Sequence, residues 1–268
     1  MNHKMQKNMK KQIDNNIILN VDKLIPNHSV DCVIFGFDNH ELKILLLKWK
    51  IGGFWTLPGG FINKDEDMDS AAQRVLKERS GLDNVFLKQF YTFGNANRNF
   101  LHQSVAKEKW ERENLNFVDE KFKKWVNNSF ITTGYFAMID KKKSSPKHDI
   151  FSEKCEWVSI KKIPQLIYDH NLIVDKALEQ VRIQLNYLPI SINLLPNKFT
   201  MQQLQKLYEE ILNKKLERSN FQRKMLKLGI FIRLEKKYTG AANKAPFLYQ
   251  FNRTKYQNLV GQGIGLPY

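Results

Sequence analysis

The chain is predicted to fold as an α/β sandwich with a mixed sheet, followed by a second domain of two helices and a β-hairpin. Three observations predict this. Short apolar strand patterns with one strong early helix fill the first part of the sequence, which favours mixed layers over an all-helical or all-strand domain. A long amphipathic pattern at 169–186 then stops at Tyr187-Leu188-Pro189. Beyond it the charge balance changes: 193–268 holds 14 Lys and Arg against 4 Asp and Glu, or +10 of the total +16.

The elements follow in order. Residues 1–25 read as a flexible basic tail, and 26–167 as the first domain. Apolar runs at 30–37 and 42–49 flank the turn-forming Asp38-Asn39-His40, which makes them a hairpin. Residues 54–61 run as a short strand into a glycine turn at Gly59 and Gly60. Residues 68–79 are helical, and Gly81 stands where a C-terminal glycine belongs. Further strands are expected at 85–93, 130–139 and 156–160. The polar stretch 99–129, with helical patterns at 107–113 and 119–126, reads as an insertion on a strand connection. Ile173, Ala177, Val181 and Leu185 fall at spacing four on one stripe of a linker helix, assigned to 168–190.

The second domain, 191–268, opens with Thr200, which can cap a helix with Gln203 completing a capping box. Leu204, Leu207, Tyr208, Ile211 and Leu212 form its apolar stripe. After the turn at 213–216 a second helix, 218–228, buries Phe221, Met225 and Leu228 and stops at Gly229. Its other face carries Arg218, Ser219, Asn220, Gln222, Arg223 and Lys224, residue types that read base edges and grip phosphates. Strands at 230–234 and 247–251 enclose Lys236, Lys237, Tyr238 and a small-residue tip that holds Asn243 and Lys244. Helix, turn, helix and basic hairpin describe a winged helix-turn-helix that docks on double-stranded DNA. A merely solvated basic face is the competing reading of the second helix; the preceding helix, the hairpin and the regional charge favour DNA.

Composition excludes other classes. With 42% hydrophobic and 26% charged residues the chain has material for a packed core. No segment approaches the roughly 20 apolar residues of a membrane span, and Met1 to Gln12 has no apolar centre for a signal peptide. A cytoplasmic protein is expected. Cys32 and Cys155 each lie in an apolar stretch and suggest neither a disulfide framework nor a metal cluster. No cofactor and no metal are expected.

One segment carries recognisable chemistry. Gly60, five residues, Glu66, seven residues, then Arg74-Val75-Leu76-Lys77-Glu78-Arg79-Ser80-Gly81-Leu82, preceded by Trp55, Leu57, Pro58 and Gly59, resembles the Nudix box. In that family a glycine turn lets the backbone approach a diphosphate, and helix carboxylates at i, i+3 and i+4 hold divalent cations that activate water. Here Val75 and Arg79 stand where the resemblance calls for Glu, leaving Glu78 alone on the metal face. A hard cation needs several oxygen ligands, so the resemblance implies a sensor with vestigial Glu66, Arg74 and Glu78. An active pyrophosphohydrolase acting on a nucleoside diphosphate derivative is the alternative. Arg74 and Glu66 are expected to brace the loop against the helix.

The order of parts resembles Nudix-related transcriptional regulators. Further likeness lies in Tyr91-Thr92-Phe93-Gly94, Thr133 to Ala137, Asp169-His170, Leu194 to Thr200, Asn220 to Leu226 and Lys244 to Tyr249. The resemblance implies a homodimer on a pseudo-palindromic operator, and an effector that is a sugar such as arabinose or an ADP-ribose-like nucleotide. The 99–129 insertion and the Asn-Lys-Ala-Pro hairpin look more like the sugar-responsive branch. Asp31, Trp55, Gly59, Gly60, Phe93, Asn97, Arg98 and Tyr135 are the expected effector contacts, with core packing or sheet scaffolding the competing role for the side chains among them.

Overall fold

Asn39 and His40 adopt positive φ angles of 50° and 61°, the backbone a tight hairpin needs. They join β1 (Leu24–Asp38) to β2 (Glu41–Trp49) as an antiparallel pair with Phe35 opposite Ile44. The computed structural model describes residues 21–50, 52–83, 85–96, 98, 121, 124–125, 128–149, 151–185, 193–238 and 245–261.

The sheet continues through β3 (Trp55–Thr56), β4 (Gly59–Asn63), β5 (Leu87–Phe93), β6 (Ile131–Ile139) and β7 (Ser152–Ser159). Its order is β3-β2-β1-β6-β5, with β4 on β1 and β7 on β2. β1 runs parallel to β6 and antiparallel to β2 and β4, so the sheet is mixed.

Both faces of β1 are buried, and its alternating side chains belong to two cores. Val30, Cys32 and Ile34 pack with Ala71, Ala72, Val75 and Leu76 of α1 (Met68–Ser80). Val33 and Phe35 pack with Ile173, Val174, Ala177 and Val181 of α2 (His170–Leu185). α1 starts where the Asp67 carboxylate accepts from Ser70 N, and it ends at Gly81 with φ 74°.

The second domain contains β8 (Phe199–Thr200), α3 (Met201–Leu212), α4 (Arg218–Lys227), β9 (Phe231–Lys236), β10 (Phe247–Phe251) and α5 (Arg253–Gly261). Thr200 and Gln203 form the capping box, and Asn213 ends α3 in the left-handed region. The buried Glu209 holds the α3–α4 turn, accepting from Lys206 Nζ, Gln205 Nε2 and the Leu216 amide. The Lys206 hydrogen bond does most to lower its pKa, to about 2, helped by the Leu216 amide. Tyr208 and Phe221 meet edge to face at 5.3 Å, setting α4 against α3.

Several expectations shift. The strand begins at Leu24, inside the expected tail. Gly59 and Gly60 lie in β4, not in a turn. The strand expected at 156–160 begins at Ser152, hidden in the sequence by the exposed polar edge residues Glu153 and Lys154. α5 was not expected at all. The helical pattern at 107–113 and the stop at 187–189 lie outside the described residues; within 119–126, residues 121, 124 and 125 are helical.

The two domains share a core. One buried cluster runs from Val33 and Phe136 through α2 to Leu204, Phe221 and Tyr249. Arg182 Nε donates to the Ile211 carbonyl at 2.8 Å, and Lys161 Nζ bonds Glu210 Oε1 at 2.7 Å. Packing between the two domains is continuous through this cluster.

Candidate functional site

A cavity of about 500 Å³ opens between β1, β4, the C-terminal half of α1 and the start of α2. Its walls mix apolar and aromatic groups (Leu47, Trp49, Phe61, Phe130, Phe151, Tyr168) with Arg74, Arg79 and Arg98 and the carboxylates of Asp31, Glu78 and Asp149. Such a lining suits a ligand with a flat ring and an anionic part.

At one end lies a buried polar network. Asp31 Oδ2 on β1 accepts from Thr132 Oγ1 at 2.8 Å and from Arg98 Nη2 at 3.1 Å. Arg98 Nε donates to Asp169 Oδ1 at 2.8 Å, just before α2, and its guanidinium lies 5.6 Å from the Tyr168 ring. His170 Nδ1 accepts from the Leu57 amide at 3.1 Å and contacts Thr56 Oγ1 at 3.0 Å. That acceptor role leaves Nε2 to carry the proton, 3.7 Å from Asp31 Oδ2. Burial lowers the His170 pKa, against the opposing pull of Asp31. The ring is neutral near pH 7, and Arg98 and His170 tie the cavity to the helix that reaches the second domain.

At the other end stands the box helix. Arg74 grips Glu66 with two hydrogen bonds, 2.6 and 3.1 Å, and donates to the Phe61 carbonyl at 2.8 Å. Burial pushes the Glu66 carboxyl up, but Arg74 and the Asn63 amide outweigh it and hold it below the usual carboxylate range. This pair braces the loop on the helix, the geometry expected from the sequence. Val75 is buried, its Cγ2 only 2.7 Å from where a Cβ on Gly60 would sit. Glu78 lies 3.8 Å from Arg74 Nη1 and 3.7 Å from Arg79 Nη2, and Arg79 reaches Asp149 at 3.3 Å. Divalent ions are implied by the Nudix resemblance, but these side chains do not fit one. Among the described residues no group of three or more His, Cys, Asp and Glu is placed to hold a metal, and two guanidiniums flank Glu78.

Of the expected effector contacts, Asp31, Gly59, Gly60 and Arg98 line the cavity. Trp55 packs half-buried against the α2-side core, and Phe93 lies within that core. Tyr135 lies on the opposite sheet face, donating to Asp69 Oδ1 at 2.5 Å. These three do not line the cavity: strand alternation turns Tyr135 to the opposite face, while Trp55 and Phe93 pack into the α2-side core. Asn97 lies outside the described residues. Sequence reasoning missed Tyr168, Asp149 and the Phe61, Phe130 and Phe151 rings; for His170, only the Asp169-His170 pair was a signal.

The basic face is open. Arg218, Ser219, Asn220, Arg223 and Lys224 are exposed on α4, Gln222 is half-buried, and Arg223 Nη2 donates to Asn220 Oδ1 at 2.9 Å. Lys237 and Tyr238 are exposed at the end of β9, while Lys236 lies 5.5 Å from the Phe247 ring. Asn243 and Lys244 lie outside the described residues.

Comparison with known proteins covers both halves. Residues 26–180 match the NUDIX domain model, and residues 191–251 match the NrtR DNA-binding winged helix domain model. The ADPR responsive transcriptional repressor NtrR of Acinetobacter baylyi is 30% identical over 239 residues, 86% of this chain and 84% of that protein. The crystal structure of Shewanella oneidensis NrtR complexed with a 27mer DNA has a TM-score of 0.63 at 22% identity, covering 85% of this chain and 95% of that one. A MutT/nudix family protein from Enterococcus faecalis has a TM-score of 0.59 at 19% identity, covering 94% of this chain and 99% of that one. At these identities the two structures speak to the fold alone.

Proposed function

The chain belongs to the Nudix family, among the regulators that carry an NrtR-type DNA-binding winged helix, and from this premise we propose that it is a repressor released from its operator by an ADP-ribose-like nucleotide. The observation that carries the proposal is the pairing of two sites through one core: an exposed basic α4, and an arginine- and aromatic-lined cavity whose wall includes His170, the first residue of α2. A nucleotide that binds one arrangement of the domains better than the other shifts the population of DNA-competent molecules. The ADP-ribose part rests on the name of the Acinetobacter relative. The sugar-responsive branch, and arabinose with it, finds no support among these relatives.

Hydrolysis is not part of the proposed role, since Glu78 is the only carboxylate left on the expected metal face. Magnesium-dependent turnover of ADP-ribose that disappears in Glu78→Gln would reverse that conclusion.

The proposed assembly is a homodimer. Phe86 before β5, Tyr91 on β5, Ile131 on β6 and Leu172 on α2 are 59%, 53%, 45% and 50% exposed and are the candidate apolar contacts of that interface. Sedimentation of the DNA complex should give two chains per duplex; one chain per duplex would remove the dimer.

The function itself is tested by fluorescence anisotropy with a duplex selected by the full chain from a random pool. ADP-ribose should weaken binding to that duplex at least tenfold. Arg223→Ala should reduce the preference for the selected duplex over random DNA. Equal affinity for both duplexes in the unaltered chain would make it a non-specific binder.

A further inference from the structure

Positions 75, 78 and 79 share one face of α1, at i, i+3 and i+4. In this chain that face presents an apolar group, a carboxylate and a guanidinium. Val75 is sealed beneath Gly60, so only Glu78 and Arg79 reach the cavity. The Arg79 side chain is 13% exposed, its Nε has no hydrogen-bond partner, and its Nη2 lies 3.3 Å from Asp149 Oδ2 and 3.7 Å from Glu78 Oε2. A guanidinium at a cavity wall that holds its carboxylate partners so loosely has N–H groups left for an anionic ligand.

The neighbouring charges indicate what kind of ligand. Glu78, 44% exposed, stands between Arg74 Nη1 at 3.8 Å and Arg79 Nη2 at 3.7 Å. Both distances exceed a good charge-assisted hydrogen bond. The carboxylate is a loose occupant of a gap between two guanidiniums. A diphosphate carries more charge and more acceptor oxygens, and it could take that gap at hydrogen-bonding distance while Glu78 swings to solvent.

We propose that the cavity binds the diphosphate of its effector without a divalent cation, Arg79 and the free edge of Arg74 supplying the positive charge. The inference rests on the nucleotide reading above and deepens it. The effector class then extends to any diphosphate with an aromatic end group, and chelators leave the response intact.

The test is calorimetric titration of the full chain with ADP-ribose, in magnesium and in EDTA. The dissociation constant should agree within about twofold between the two buffers. Arg79→Gln should weaken binding at least tenfold in EDTA, and Arg79→Lys should recover part of it. Melting temperatures of both variants separate binding from folding: if Arg79 only anchors Asp149, Arg79→Gln lowers the melting temperature and leaves the dissociation constant unchanged, which overturns the proposal. Loss of binding in EDTA also overturns it. If ADP-ribose binds in neither buffer, the nucleotide reading has failed, and inorganic pyrophosphate becomes the probe. A pyrophosphate-induced rise in melting temperature in EDTA, absent in Arg79→Gln, sustains the arginine site; no rise removes it.

Discussion

Gly59 has no Cβ, and the Asp31 carboxylate lies in the space one would need. A Cβ there would sit 2.4 Å from Asp31 Oδ1 and 3.1 Å from the Val30 carbonyl. Gly59→Ala must therefore push Asp31 away from Thr132 and Arg98. A loss of about 1–3 kcal/mol in denaturant unfolding is expected, together with weaker effector binding; an unchanged midpoint would show that Asp31 moves freely. His170 sets a pH dependence. Its folded pKa lies below the free value of 6.5 because burial disfavours the charged ring. Below pH 6.5 the unfolded chain takes up protons that the folded chain refuses. Stability from this group is therefore full above that pH and falls as the pH drops, by up to about 1.4 kcal/mol per unit. Glu66 and Glu209, whose free value is 4.5, are held lower when folded and lose their contribution only at more acid pH. The fall between pH 6.5 and 4.5 should flatten in His170→Asn, which keeps an acceptor near Nδ1. Stability curves of equal slope for the two proteins would contradict this assignment.

At the scale of elements, local chemistry presents α4 to its partner. Thr200 and Gln203 cap α3, Asn213 ends it, and Glu209 clamps the turn onto Leu216. Glu217 then accepts from the Ser219 and Asn220 amides at 2.8 and 2.6 Å and starts α4 with its basic face outward. Thr200→Ala removes the cap on the Gln203 amide, an expected cost of about 1 kcal/mol and a melting temperature lower by about 2–4 °C. A variant that melts with the unaltered chain would show that packing of Met201 and Leu204 alone sets the start of α3. This part of the fold was legible because its signals are local: a capping box, a turn and a stripe at helical spacing all lie within a few residues of the structure they specify. β7 and α5 were not legible. β7 alternates weakly because it is a polar edge strand, completed by β2 and the Lys48–Glu153 ion pair at 2.8 Å. α5 gains its hold from the Phe251 and Tyr256 rings, 5.1 Å apart.

At the scale of the molecule, the shared core couples the domains. Leu204, Leu207 and Phe221 belong to the same buried cluster as Phe35, Phe136 and Val181. Exposing one domain's share on its own leaves the other with bare apolar surface, so the two should unfold together. Scanning calorimetry of the full chain is expected to show one transition. Two well-separated transitions would mean that the interface is weaker than its burial suggests. The same coupling gives the nucleotide reading its route, from Arg98 and Asp169 into α2 and from Arg182 to the end of α3.

The sequence by itself determined the two-part architecture, the hairpin at Asn39 and helices α3 and α4 of the winged domain, because each rests on short-range periodicity, caps or regional charge; the Arg74–Glu66 brace followed from the resemblance to the Nudix box. It also displayed Val75 and Arg79 in plain order. Only the tertiary structure decided which side chains meet in the cavity. Asp31, Arg98 and His170 come from positions 67 to 139 residues apart, and strand alternation sends Asp31 to the cavity while Tyr135, on the neighbouring strand, turns into the opposite core. Side-chain direction on a buried strand depends on which face each helix covers, and that is settled by packing between segments far apart in the chain.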